Sequence, residues 1–64
     1  DTGLPKGHAD LYGFRPDGQI FYVEVKKENG RVRPEQKNFI ETVRKRGAIA
    51  GVARSAQEAL ELVK

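Results

Sequence analysis

The tetrapeptide Arg15-Pro16-Asp17-Gly18 separates two stretches of alternating character, residues 8–14 and 19–27. Pro at the second turn position and Gly at a left-handed position favour a type I turn with a bulge. A three-residue loop from Pro16 to Gly18 sets Arg15 opposite Gln19. One face of the hairpin then pairs Ala9 with Val25, Leu11 with Val23 and Gly13 with Phe21. That face is wholly apolar and is the expected core face. A slip of one residue would move Asp10 against Val23 and destroy the segregation. Turn chemistry and pattern therefore select the same register.

The other face pairs Phe14 with Ile20, Tyr12 with Tyr22, Asp10 with Glu24 and His8 with Lys26. It is apolar beside the turn and charged at its far end. Two carboxylates directly opposite each other repel. Lys26, two residues along from Glu24, is one compensator. A hard divalent cation is the other, since Mg²⁺ or Mn²⁺ takes oxygen ligands from one or two carboxylates together with waters and phosphate. The plainer alternative is an exposed cross-strand salt bridge. Asp17 sits at the turn tip, too far along the hairpin to share an ion with Glu24, and is assigned to turn chemistry. His8 is expected to hold a structural hydrogen bond. Tyr12 and Tyr22 are expected to pack beneath a helix.

The remaining chain alternates between turn signals and periodic segments. Residues 1–7 read as a loop, and Asn29-Gly30 opens another. Pro34 begins a helix at its first position, where the missing N–H costs nothing. That helix runs over 34–46 and stops at Gly47. Arg44, Lys45 and Arg46 in its last turn complement the helix dipole. Residues 48–53 form a short apolar strand. Ser55-Ala56-Gln57-Glu58 is a capping box starting a helix over 55–63, with Ala56, Ala59, Leu60 and Val63 as its apolar stripe. The order is β-β-α-β-α, an α/β fold with a mixed sheet in one domain spanning 1–64.

The chain has 64 residues and no Cys, which excludes disulfide scaffolds and thiolate metal sites. No apolar run approaches the length of a membrane span. The net charge of +3 is unevenly placed. Residues 1–25 carry −2, residues 26–46 carry +5, and the rest sum to zero. A basic segment beside a small acidic group suits a polyanion such as nucleic acid. A merely solvated helix face is the bland alternative.

These residues carry a family resemblance. Gly7-His8-Ala9-Asp10-Leu11, Tyr22-Val23-Glu24-Val25-Lys26, Pro34-Glu35-Gln36-Lys37-Asn38-Phe39, Gly47-Ala48 and Gly51-Val52-Ala53 together resemble the VRR-NUC domain, the virus-type replication–repair nuclease branch of the PD-(D/E)XK superfamily. Asp, Glu-X-Lys and a helical Gln in this order are far more specific than Asp and Glu-X-Lys alone. The resemblance implies a minimal restriction-endonuclease-like core. It implies that Asp10, Glu24 and the backbone carbonyl of Val25 hold Mg²⁺ or Mn²⁺. Lys26 would orient the attacking water or stabilise charge on the phosphate, and Gln36 would support the site from the first helix. Gln36 also shares the stripe of Phe39, Ile40 and Val43, where a polar side chain needs a partner. Lys6, Lys27, Arg31, Arg33, Lys37 and the Arg44–Arg46 cluster would grip phosphates. The implied activity is structure-selective DNA cleavage, including Holliday-junction resolution by a homodimer in the cytoplasm of a bacterial or phage-infected cell. A nucleic-acid-binding module with a vestigial site is the alternative. Two departures stand out. Ala9 replaces a frequent Pro, and the family's N-terminal helix with its additional acidic residue is expected to be absent.

Overall fold

The computed structural model describes residues 10–64. Five elements follow one another in the order β-β-α-β-α: β1 (Leu11–Phe14), β2 (Ile20–Val25), α1 (Pro34–Lys45), β3 (Ile49–Ala53) and α2 (Ala56–Val63). The sheet is mixed, in the order β1-β2-β3, with β1 antiparallel and β3 parallel to β2. The parallel pair requires a crossover, and α1 supplies it.

The hairpin has the register its turn dictates, pairing Leu11 with Val23, Tyr12 with Tyr22, Gly13 with Phe21 and Phe14 with Ile20. Arg15 N–H donates to Gln19 O at 2.8 Å and Gly18 N–H to Arg15 O at 2.9 Å. Gly18 has φ +89°, a backbone state open to glycine at little cost. Asp17 accepts from the Gln19 N–H at 3.0 Å and pairs with Arg15 at 2.7 Å, so it is a turn residue. β2 is shorter than its sequence pattern. β2 occupies Ile20–Val25 rather than 19–27, and the described β1 begins at Leu11. Asp10 lies in a bend just before β1. His8, Ala9 and the loop expected over 1–7 lie outside the described residues.

The sheet is covered on both faces. On the face of Tyr22 and Glu24, α1 contributes buried Phe39 and Ile40, and Tyr22 meets Phe39 edge-on at 5.1 Å and 87°. Tyr12 stands beside Tyr22, with ring centroids 6.1 Å apart, but stays half exposed. On the opposite face, α2 packs over Gly51, where an added Cβ would come within 3.0 Å of Leu62. The apolar hairpin face is therefore only partly core. Val23 is 0% exposed, whereas Leu11 and Val25 are 48% and 50% exposed. α2 contacts chiefly β3, so it shields the β3 side of this face and leaves the β1 side open.

The helices stop and start on local signals, with two corrections. α1 ends at Lys45 instead of 46 in a paired-bond C-cap: Gly47 N–H donates to Arg44 O and Ala48 N–H to Val43 O, both at 3.0 Å, with Gly47 at φ +98°. At α2, Ser55 Oγ accepts from the Glu58 N–H at 3.1 Å, as a capping box requires. The return bond differs, because Glu58 accepts from the Arg54 N–H at 2.7 Å instead of from Ser55. The apolar stripe of α2 is also rotated from expectation. Ala59, Leu62 and Val63 are partly buried, while Ala56 is exposed and Leu60 is 63% exposed. The socket above Gly51 draws in Leu62, and the helical period then turns Leu60 outward.

Candidate nuclease site

The C-terminal half of β2 carries the chemistry. Glu24 is on the face beneath α1 and is only 2% exposed. A carboxylate in that position must find partners, because burial without them is costly. One oxygen, Oε2, has two. Gln36 Nε2 donates to it at 2.9 Å, and Lys26 Nζ stands 3.6 Å away. The other, Oε1, is buried with no hydrogen-bond partner among the described residues. Glu24 therefore enters the site with half its carboxylate satisfied.

Asp10 lies close enough to act on Glu24. Desolvation first raises the pKa of Glu24. The nearby Asp10 carboxylate raises it further, and Lys26 opposes it. The donor chemistry fits a hard divalent cation: a buried unpartnered carboxylate oxygen beside a second, exposed carboxylate. The described residues contain no cluster of three or more Asp, Glu, His or Cys. Asp10 and Glu24 would thus be the side-chain ligands there. Lys26 N–H donates to Ala53 O on the β3 side at 3.0 Å. Backbone groups alternate along an extended strand, so the Val25 carbonyl is aimed to the opposite, β1 side, where Asp10 lies.

Gln36 belongs to this constellation for a structural reason. Arg33 is the extended residue ahead of α1, with Pro34 at the first helical position. Gln36 Oε1 accepts from the Arg33 N–H at 2.9 Å, which caps the helix start. Its Nε2 is left to reach Glu24. One side chain therefore closes the helix N-terminus and holds the acid, and it is itself buried.

The cations fall into two groups. Lys27, Arg31, Arg33 and Lys37 are exposed along the loop after β2 and the first turn of α1, the end of the molecule that holds Glu24. Lys37 also lines a cleft of about 230 Å³ with Val32, Ile40, Glu41 and Val52 at the β3 side of α1. The Arg44–Arg46 cluster is at the far end of α1, ~12–15 Å along the helix axis from Gln36 at 1.5 Å per residue. Arg44 is committed elsewhere, its Nε donating to Ala50 O on β3 at 2.8 Å. The cluster thus lies away from Glu24. Lys6 lies outside the described residues. Arg54 was not signalled by the sequence, yet its Nη1 donates to the carbonyls of Lys27, Glu28 and Gly30. Carbonyl acceptors leave no mark in a sequence, so no residue pattern points to that contact.

No helix among the described residues is long and apolar enough to cross a membrane. Neither the curated proteins nor the solved structures searched contain a significant match. The family model of the VRR-NUC domain matches residues 2–57, most of the 64-residue chain. Its match spans Asp10, Glu24, Lys26 and Gln36 together, and the chain belongs to the VRR-NUC domain family, with an activity of nuclease type.

Proposed function

We propose that the protein is a metal-dependent DNA endonuclease of the PD-(D/E)XK type that selects substrates by structure. The observation that carries this reading is Glu24, a buried acid with one oxygen held by Gln36 and approached by Lys26 and the other unpartnered, with Asp10 acting on it. Asp10, Glu24 and the Val25 carbonyl would hold Mg²⁺ or Mn²⁺. Such an ion supplies Lewis acidity, making a water more acidic and offsetting charge on the scissile phosphate. Gln36 fixes the rotamer of Glu24. Lys26 places a positive charge, screened from bulk water, where negative charge develops on the phosphate. Lys27, Arg31, Arg33 and Lys37 hold backbone phosphates, contacts that are independent of base sequence. Branched DNA, including four-way junctions, is the proposed substrate, and a homodimer with two sites would suit the two-fold symmetry of a junction.

The test is cleavage of a labelled four-way junction and of linear duplex with Mn²⁺ or Mg²⁺. Lys26→Ala is expected to lower kcat by ~10²–10³, and Asp10→Asn to abolish detectable cutting. Undiminished cleavage by both variants would remove this site from the mechanism. Salt-sensitive junction binding without cleavage in either metal would make the chain a binding module instead.

A further inference from the structure

The turn that follows Lys26 is held by one side chain from just beyond β3. Lys27 to Gly30 form a β-turn closed by the Gly30 N–H donating to Lys27 O at 2.9 Å. Three carbonyls of that turn converge on Arg54 Nη1: Lys27 at 2.7 Å, Gly30 at 2.7 Å and Glu28 at 3.3 Å. Arg54 directly follows β3. Its backbone is fixed by the bond to Glu58, at the start of α2. The preceding residue, Ala53, accepts from the Lys26 N–H at 3.0 Å. Two consecutive residues at the end of β3 thus grip the chain on either side of the Lys26 Cα.

The turn also touches the Lys26 side chain. A Cβ added at Gly30 would stand 3.5 Å from Lys26 Cβ and 3.3 Å from Lys27 O. Gly30 therefore packs against the root of the chain that carries Nζ. Beyond it, residues 31–33 lead straight into the helix start that Gln36 closes. Displacing the turn would move Lys26 from one side and Gln36 from the other. Both act on the same oxygen of Glu24.

We infer that Arg54 is a positioning residue for the nuclease reaction, acting through the Lys27–Gly30 turn to place Lys26 and Gln36 around Glu24. The inference rests on the nuclease reading above. A lone cation could instead be a phosphate ligand, and Arg54 Nε and Nη2 meet no acceptor among the described residues. The two roles separate kinetically. A positioning residue changes kcat, because small misplacement of reacting groups is expensive. A phosphate ligand changes KM and the salt dependence.

The experiment compares the native chain with Arg54→Ala, Arg54→Lys and Gly30→Ala on a four-way junction with Mn²⁺. Each variant is first checked for a cooperative melt, and Gly30 amide exchange is followed alongside. Arg54→Ala is expected to lower kcat ~10–100-fold, with KM and salt slope unchanged and with lost protection at Gly30. Arg54→Lys should recover most of kcat, since an ammonium has three donors for three carbonyls. Gly30→Ala, which leaves Arg54 intact, should reproduce the kcat loss. A raised KM with a salt slope shallower by about 1, or an unchanged kcat, would overturn the inference. If the native chain cuts nothing, the nuclease reading falls by itself, and unchanged Gly30 protection in Arg54→Ala would then sink the turn's dependence on Arg54 separately.

Discussion

Glu24 shows how much one residue's surroundings decide. Its pKa is raised in the folded chain, first by burial and then by Asp10. An acid with a raised folded pKa favours folding most when protonated, so its contribution is lost as pH rises from the unfolded value through the folded one. The metal-free protein is therefore expected to lose stability between acidic and neutral pH through this group. Glu24→Gln should remove that loss, since a neutral amide can donate toward Asp10 and accept from Gln36. We expect it to raise metal-free stability at pH 7 by roughly 1 kcal/mol, a Tm gain of ~4–8 °C for a domain this small. The gain should vanish at pH 4, and cleavage should be lost at both. Thermal melts in EDTA at the two pH values check this. A variant less stable than the native chain at neutral pH would contradict the assigned environment of Glu24.

At the scale of elements, the helices decide which strand residues become core. The apolar face of the hairpin was legible from alternation, but which part of it is covered was not. Leu62 fills the space above Gly51, and the rest of α2 rotates accordingly. Leu62→Ala is expected to cost about 2 kcal/mol. Leu60→Ala should stay within ~0.5 kcal/mol, because Leu60 is largely solvated. Urea unfolding of the two variants measures the difference directly. Equal losses would mean that the stripe first read from the sequence, with Leu60 inside, is the one that packs. Gln36 belongs to this scale too. Its place on the apolar face of α1 was readable from the 3.6-residue period, and its partner on β2 follows from the parallel crossover that sets α1 over Glu24.

For the whole molecule, charge placement outweighs the sum of +3. The chain carries its basic loop and the start of α1 at the end that holds Glu24, and leaves Lys45 and Arg46 at the far end of the helix. Junction binding in EDTA should weaken with salt at a slope of about −0.9 for each phosphate neutralised. Arg33→Ala and Lys37→Ala should each make that slope shallower by about 1 and weaken binding alike on different sequences. Lys45→Ala should leave it nearly unchanged. A salt titration by fluorescence anisotropy distinguishes these variants. An equal effect of Lys45→Ala would place the DNA track along the whole helix.

The sequence by itself determined the hairpin register, the turn role of Asp17, the helix stop at Gly47 and the grouping of Asp10, Glu24 and Lys26. Each is settled by residues a few positions apart or by strict strand alternation, so local chemistry suffices. Only the tertiary structure decided that Glu24 is buried with one oxygen unpartnered, that Leu62 rather than Leu60 packs over Gly51, that Arg44 is tied to β3, and that Arg54 holds the turn after Lys26. These depend on desolvation by packed helices and on backbone carbonyls converging from distant segments. Neither quantity is a property of any residue's identity or spacing, and both appear only when the elements meet.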